Sequence, residues 1–265
     1  MDKTQLMEKI NQMPSFVLRD VAINGVYTPD VQVPSKDWQE TDFWKAVTES
    51  DKNLPLTFVT KKYKLLQFKD CFLPIIQNMP ELTGRVIYWH GMAIMDVYPN
   101  DINFKIGNDS IGLVAVNSVN KQSSVIIKFC VKSGNRSITI PKKLAGFKRV
   151  HVGKVFEMTQ NFIAVADKVK SIWNTIITEY SKLKMDESFA TTVLETVELK
   201  DEFIVKKVNK KVAQSADMNL WDLFIYIIEL IEAKDYISEL HKQKKLDLIA
   251  EKMFQYAIAS KLINA

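Results

Sequence analysis

The sequence predicts an α+β fold, with an antiparallel sheet in the N-terminal and middle parts followed by a long helix and a C-terminal helical region. Residues 111–141 contain strand-like segments in which polar and apolar residues alternate with a period of two. Residues 154–183 instead repeat apolar side chains every three or four positions. Strands followed by helices are typical of the α+β class. We therefore expect a β-rich part at 1–153 and a helical part at 154–265, packed together as one compact unit.

The composition is that of a globular protein. The chain has 265 residues, of which 47% are hydrophobic and 25% charged, and it contains eight glycines and eight prolines. The cysteines, Cys71 and Cys130, are too few for a disulfide framework and predict buried thiols in a reducing compartment. The most apolar stretch, 220–231, contains two carboxylates and is shorter than the roughly 20 residues that span a bilayer. These features predict a soluble, cytoplasmic protein without membrane contact.

Local patterns predict the individual elements. In the first third of the chain they are a helix at 2–13, β-rich pieces at 16–33 with turns at 24–25 and 29–30, a short helix at 37–47, a strand beginning at 54 and a helix at 68–79. The apolar side of the helix predicted at 37–47 consists of Trp38, Phe43, Trp44 and Val47. Further along we expect a hairpin at 84–99 around His90-Gly91, two long strands and a short one within 111–141, and helices at 154–183, 186–213, 218–240 and 245–262.

The charge distribution gives the clearest indication of function. From Ser110 to Phe156 the chain has 47 residues without an aspartate or glutamate, and this window contains nine lysines and arginines. Because like charges at this density repel one another, an anionic partner such as a phosphate backbone would stabilise them. Lys128 and Lys132 are expected on one face of a strand.

Two segments also combine basic residues with an aromatic ring, as single-stranded nucleic acid requires for phosphate contact and base stacking. They are centred on Phe147 and on Tyr63. The alternative is a solvated basic loop, with both rings turned into the core. The candidate nucleic-acid-binding residues are Lys61, Lys62, Tyr63, Lys64, Lys128, Lys132, Arg136, Lys142, Lys143, Phe147, Lys148, Arg149, His151 and Lys154.

Catalytic motifs are not found in the sequence. His90, His151 and His241 are not at metal-ligand spacing from one another or from a cysteine, and no nucleotide-binding or nucleophile motif occurs. We therefore predict no catalytic residue, metal or cofactor. An enzyme, such as a metal-dependent nuclease, is the third hypothesis, after nucleic-acid binding and inhibition of a host protein.

The sequence contains several short motifs: Tyr63-Lys64 after a strand, Asn117-Ser118 followed by Ser123-Ser124, Cys130 followed by Gly134-Asn135, Arg149-Val150-His151, and the tryptophan-centred segment 219–224. Together they resemble the phage/plasmid-like family, a group of bacterial, phage and plasmid proteins that contain a domain of unknown function. The resemblance implies a protein of a mobile genetic element. The order of strands and long helix is also similar in outline to single-strand annealing proteins, an analogy at the level of the fold.

Together these observations predict a non-enzymatic single-stranded nucleic-acid-binding protein of a mobile element, with a single-strand annealing protein as its more specific form. The alternative is an anti-defence or inhibitor protein that uses the same basic face against an acidic host protein. Self-association through the apolar C-terminal helices is a further expectation; the residues concerned are Trp221, Phe224, Ile225, Ile228 and Ile231.

Overall fold

The computed structural model of the chain is of the α+β class, as the sequence predicts. It describes residues 1–23, 26–28, 31–33, 39–52, 55–79, 81–119, 126–134, 136–140, 162–196, 198–215, 217–234 and 239–260. The helices in these ranges are α1 (Lys3–Asn11), α2 (Phe68–Gln77), α3 (Phe162–Lys182), α4 (Glu187–Thr196), α5 (Glu202–Ala213), α6 (Leu220–Glu232) and α7 (Glu239–Ala259). A short 3₁₀ helix spans Ile102–Phe104.

The strands of the described ranges form three antiparallel sheets. Their bounds are β1 (Phe16–Ile23), β2 (Val26–Thr28), β3 (Val31–Val33), β4 (Gln39–Glu49), β5 (Pro55–Thr60), β6 (Leu82–Trp89), β7 (Met92–Pro99), β8 (Lys105–Ile106), β9 (Asp109–Ser118), β10 (Ile126–Ser133) and β11 (Arg136–Thr139). The larger sheet has the order β11-β10-β9-β7-β6, with β8 pairing β9, and the smaller ones are β1-β4-β5 and β2-β3.

The predicted hairpin at 84–99 is confirmed as β6 and β7. Its turn residues His90 and Gly91 have φ values of 44° and 74°, and a turn with positive φ at both central positions matches the right-handed twist of the flanking strands. The helices predicted at 2–13 and 68–79 and the strand predicted from 54 are also confirmed, as α1, α2 and β5. The turns predicted at 24–25 and 29–30 lie outside the described residues.

The helix predicted at 37–47 is wrong, because the described part of this segment belongs to strand β4. Trp44 pairs with Thr60 of β5, and Val47 pairs with Leu18 of β1. In a strand, successive side chains point to opposite sides. Trp44 is accordingly 43% exposed while Val47 is fully buried, so the two residues do not share the single apolar face that the helix assignment gives them.

One hydrophobic cluster connects the sheets to the helical half. Trp173 of α3 is fully buried in it. Its indole Nε1 donates a hydrogen bond of 2.9 Å to Asp109 Oδ2 on β9, and its ring meets that of Trp221 edge-on at 5.4 Å. Trp173 thus joins β9, α3 and α6. The boundary predicted at 153/154 lies outside the described residues.

Helix α6 turns its apolar side inward. Phe224, Ile228 and Ile231 are each at most 1% exposed, whereas Trp221 and Ile225 are half-buried at its edge. The first three residues are therefore occupied by packing within the same chain and are not exposed for self-association. None of the described helices combines the length and the apolarity needed to cross a membrane.

Both cysteines are buried free thiols, as the sequence predicts. Burial raises the pKa of each thiol to about 12. Cys130 of β10 lies beneath Tyr98, to whose hydroxyl its Sγ donates a hydrogen bond of 3.7 Å. That hydroxyl is also hydrogen-bonded to Ser137 Oγ of β11, so the Tyr98 side chain reaches from β7 across to the edge of the sheet.

Asp201 fixes the start of helix α5. Its carboxylate accepts a hydrogen bond of 3.3 Å from the backbone N–H of Ile204 and forms an ion pair with Lys234, whose side chain is 3% exposed. The hydrogen bond from Lys234 lowers the pKa of the Asp201 carboxyl. The same carboxylate therefore caps a helix and neutralises a buried ammonium group.

We expect the substitution Asp201→Ala to lower the free energy of unfolding by about 3 kcal/mol, because it removes the cap and leaves the buried Lys234 without this partner. Urea unfolding followed by circular dichroism measures the change. Asp217→Ala is the matched control, since the Asp217 side chain is 92% exposed in its ion pair with Lys184. Equal stability of the two variants would contradict the assignment.

Candidate nucleic-acid interface

Half of the residues predicted to bind nucleic acid lie outside the described residues. These are Lys142, Lys143, Phe147, Lys148, Arg149, His151 and Lys154. The other seven are described, and the structure places them in three separate environments. They lie on β10 and β11 opposite helices α6 and α7, beside a polar cavity on the larger sheet, and at the end of β5.

Two of the described basic residues are paired with carboxylates of the helical half. Lys128 Nζ lies 3.3 Å from Asp247 Oδ2 on α7, and Arg136 Nη2 lies 3.0 Å from Glu229 Oε1 on α6. A phosphate would have to compete with these carboxylates. The geometry therefore gives Lys128 and Arg136 a role in docking the helices rather than in an open basic surface.

Asp247 is the centre of this docking contact. Besides Lys128, it receives hydrogen bonds of 2.9 Å from Thr139 Oγ1 of β11 and from Gln243 Nε2 of its own helix. Gln243 Nε2 also lies 3.3 Å from the backbone oxygen of Ser137. Thr139 and Gln243 are only 3% and 5% exposed, and this network provides hydrogen-bond partners for their buried polar groups.

Lys132 shares a sheet face with Lys128, as predicted, but has different surroundings. Its Nζ lies 5.4 Å from the centre of the Tyr98 ring. Together with Arg85, Asp96 and Tyr98 it lines a polar cavity of about 230 Å³. Burial raises the pKa of Asp96, and the charge of Arg85, whose Nε lies 2.7 Å from Asp96 Oδ1, opposes that shift. The cavity thus contains charges of both signs.

The cluster at 61–64 follows the end of β5. Lys61, Lys62 and Lys64 are exposed. Tyr63 instead packs half-buried against the core, and burial raises the pKa of its phenol. The Tyr63 ring is therefore partly withdrawn from solvent. The charge of Lys61 contributes, after that of Lys45, to lowering the pKa of Asp20.

The sheet β1-β4-β5 has an aromatic outer face, which the sequence analysis missed. We define the aromatic face as Arg19, Trp44, Ala46, Phe58 and Thr60. Ala46 pairs with Arg19 on one side and with Phe58 on the other, and Trp44 pairs with Thr60. Paired residues of antiparallel strands point to the same side of a sheet. Trp44 and Phe58 are therefore diagonal neighbours, 43% and 47% exposed.

The side chains between those of the aromatic face point inward. Val59 lies between the exposed residues Phe58 and Thr60 of β5, Val47 follows Ala46 on β4, and both valines are fully buried. Phe16 of β1 is also buried and meets the ring of Phe68 edge-on at 5.4 Å. The sheet is thus fixed to helix α2 by its inner side, which leaves the aromatic face directed outward.

Arg19 places a positive charge on the same side of the sheet as the exposed rings. Its Nε donates a hydrogen bond of 2.9 Å to Thr48 Oγ1, and Nη2 lies 3.5 Å from the backbone oxygen of Ser50. These contacts hold the guanidinium against β4. Lys62, exposed just beyond Thr60, adds a cation near the end of the sheet.

The described histidines give no indication of a metal centre. The centre of the Trp89 ring lies 4.5 Å from that of His90 and 6.2 Å from that of His241. Within the described ranges no three side chains of histidine, cysteine, aspartate or glutamate are grouped as metal ligands would be.

Comparison of the chain with protein-family models, with curated proteins and with solved structures gives no match. The resemblance to the phage/plasmid-like family therefore stays a prediction.

Replacing Asp247 by alanine should lower the free energy of unfolding by about 2 kcal/mol, because Thr139, Gln243 and Lys128 all lose an acceptor. Thermal and urea unfolding measure this loss. Asp167→Ala serves as the control, since the Asp167 side chain is 87% exposed and its ion pair, with Lys170, lies within one helix. If the two variants were equally stable, the docking role of Asp247 would be wrong.

Proposed function

We propose that the protein binds single-stranded nucleic acid through the aromatic face of sheet β1-β4-β5. Trp44 and Phe58 stack on unpaired bases, while Arg19 and Lys62 attract the phosphates. The observation that supports this proposal above all is the exposure of Trp44 and Phe58 next to one another on an outward sheet face.

Exposed aromatic pairs of this kind fit bases well. A base presents two flat faces that stack on an aromatic side chain, and sheets with exposed rings are a recurring platform for unstacked bases. Diagonal neighbours on adjacent antiparallel strands lie roughly 7–8 Å apart, within reach of large rings. Trp44 and Phe58 can therefore hold successive bases of one strand. A duplex buries its base faces by stacking, so the aromatic face favours single strands.

The cations next to the aromatic face complement a phosphate backbone. Arg19 is exposed, and its guanidinium donates hydrogen bonds to neutral oxygen acceptors on Thr48 and Ser50. Guanidinium groups bind phosphate oxygens through parallel hydrogen bonds. This arrangement moves the stacking role proposed from the sequence away from the half-buried Tyr63 to Trp44 and Phe58.

The substitutions Trp44→Leu and Phe58→Leu should each raise the Kd for oligothymidylate about 5- to 150-fold, because a base stacked on an aromatic ring contributes roughly 1–3 kcal/mol. Fluorescence anisotropy of labelled oligonucleotide measures Kd at two salt concentrations. The leucine variants keep an apolar side chain at each position, so they separate stacking from sheet stability.

Trp89→Leu is the matched control, because Trp89 is 42% exposed but belongs to strand β6 of the larger sheet. Its Kd should equal that of the parent protein. Unchanged affinity in both aromatic-face variants would sink the proposal. If the protein bound an acidic protein in the absence of nucleic acid, that result would favour the inhibitor hypothesis instead.

Annealing of complementary strands for a phage or plasmid is the finer form of the proposal, and it is supported by the resemblance and by the similarity in outline to annealing proteins. Complementary oligonucleotides, one with a fluorophore and one with a quencher, should pair faster with the protein than without it. Addition of the Trp44→Leu variant should remove most of that acceleration. Pairing at an unchanged rate would make the protein a binding protein without annealing activity.

A further inference from the structure

Helix α5 carries four lysines around an exposed aromatic ring. Lys206, Lys207, Lys210 and Lys211 lie three, four, seven and eight residues after Phe203. In an α-helix these spacings place all five side chains on one side, which we call the lysine face. All four lysines are exposed, and Phe203 is 54% exposed.

The lysine face differs from Lys128 and Arg136, whose charges are neutralised by carboxylates of the helices. Within the described ranges, none of its four ammonium groups forms an ion pair; Lys207 lies 5.3 Å from the centre of the Phe203 ring, and Lys211 lies 6.0 Å from that of Tyr226. The carboxylate on the helix itself is Glu202, in the first turn. The lysines thus repel one another with no acidic residue between them.

The opposite side of α5 is committed to the core. Ile204 and Val208 are fully buried, and Val212 is 6% exposed. A helix that binds a membrane surface inserts its apolar side between lipids. Because the apolar side of α5 is packed inside the protein, charge and the single ring of Phe203 are what the helix offers to a partner.

We propose that the lysine face binds the phosphate backbone of a polyanion as a second contact surface, separate from the aromatic face. Lysines at i and i+4 lie about 6 Å apart along a helix, so Lys206 and Lys210 can each contact a different phosphate of an extended chain. The inference rests on the proposed function in one respect, the identity of the polyanion, which we take to be a single nucleic-acid strand.

The two surfaces can be tested separately with probes that differ in one component. Inorganic polyphosphate has a phosphate chain without bases, and oligothymidylate has both. The double variant Lys206→Gln/Lys210→Gln should bind both probes more weakly than the parent protein. Trp44→Leu should weaken the binding of oligothymidylate alone.

The salt dependence of binding measures the number of phosphates contacted. For oligothymidylate, the slope of log K against log salt concentration should become less steep by about 1.4 in the double variant, since each phosphate contact contributes roughly 0.7 for single strands. Lys9→Gln/Lys168→Gln is the control, because it removes the same charge from exposed positions on α1 and α3. Circular dichroism confirms that each variant is folded.

The outcomes separate the two proposals. Polyphosphate binding without oligothymidylate binding in the parent protein would overturn the proposed function and leave the lysine face standing. Equal slopes in the double variant and the control, or no salt-dependent binding of polyphosphate, would overturn the lysine face. Preferential binding to vesicles of phosphatidylglycerol, lost in the double variant, would also overturn it in favour of a membrane surface.

Discussion

The contact between Asp247 and strands β10 and β11 is the interaction on which the rest of the molecule depends. It brings the acidic residues of the helical half to the basic residues of the middle of the chain, 119 positions away in the case of Lys128. Once Lys128 and Arg136 have carboxylate partners, part of the positive charge that dominates the sequence serves folding. A polyanion can then bind only where basic side chains are not paired with carboxylates of the helices.

Exposure of aromatic rings sets a second constraint. Burying a Trp or Phe side chain is among the largest favourable contributions to folding, and the sheet β1-β4-β5 leaves Trp44 and Phe58 half in solvent while its inner residues Val47 and Val59 are fully buried. The same strands therefore pack one side against the core and expose the aromatic rings of the other side to water or a ligand. The sequence alone does not identify this face, because Trp44 and Phe58 lie on different strands and become neighbours only when β4 pairs with β5.

Local patterns in the sequence predict the elements that are stabilised locally. The hairpin at His90-Gly91 and the amphipathic helices follow from turn chemistry and from the spacing of apolar residues. Local patterns do not predict strand β4, because its apolar residues also fit a helix over a short window. Its stability comes from pairing with β1 and β5, which no local pattern reveals. The local pattern therefore places Trp44 on the apolar side of a helix and gives the candidate stacking role to Tyr63 and Phe147. The ion pairs of Lys128 and Arg136 were equally out of reach, because they join residues far apart in the chain.

The burial of the two native thiols has a practical consequence for labelling the protein with a fluorescent dye or a spin label. Thiol-directed dyes and spin labels react with the thiolate, and both Cys71 and Cys130 are fully buried with pKa values of about 12. A cysteine engineered on the surface would carry the only readily accessible sulfhydryl among those described. Two such cysteines could then be labelled in the natural background and the distance between their probes measured, with no need to delete the native residues first.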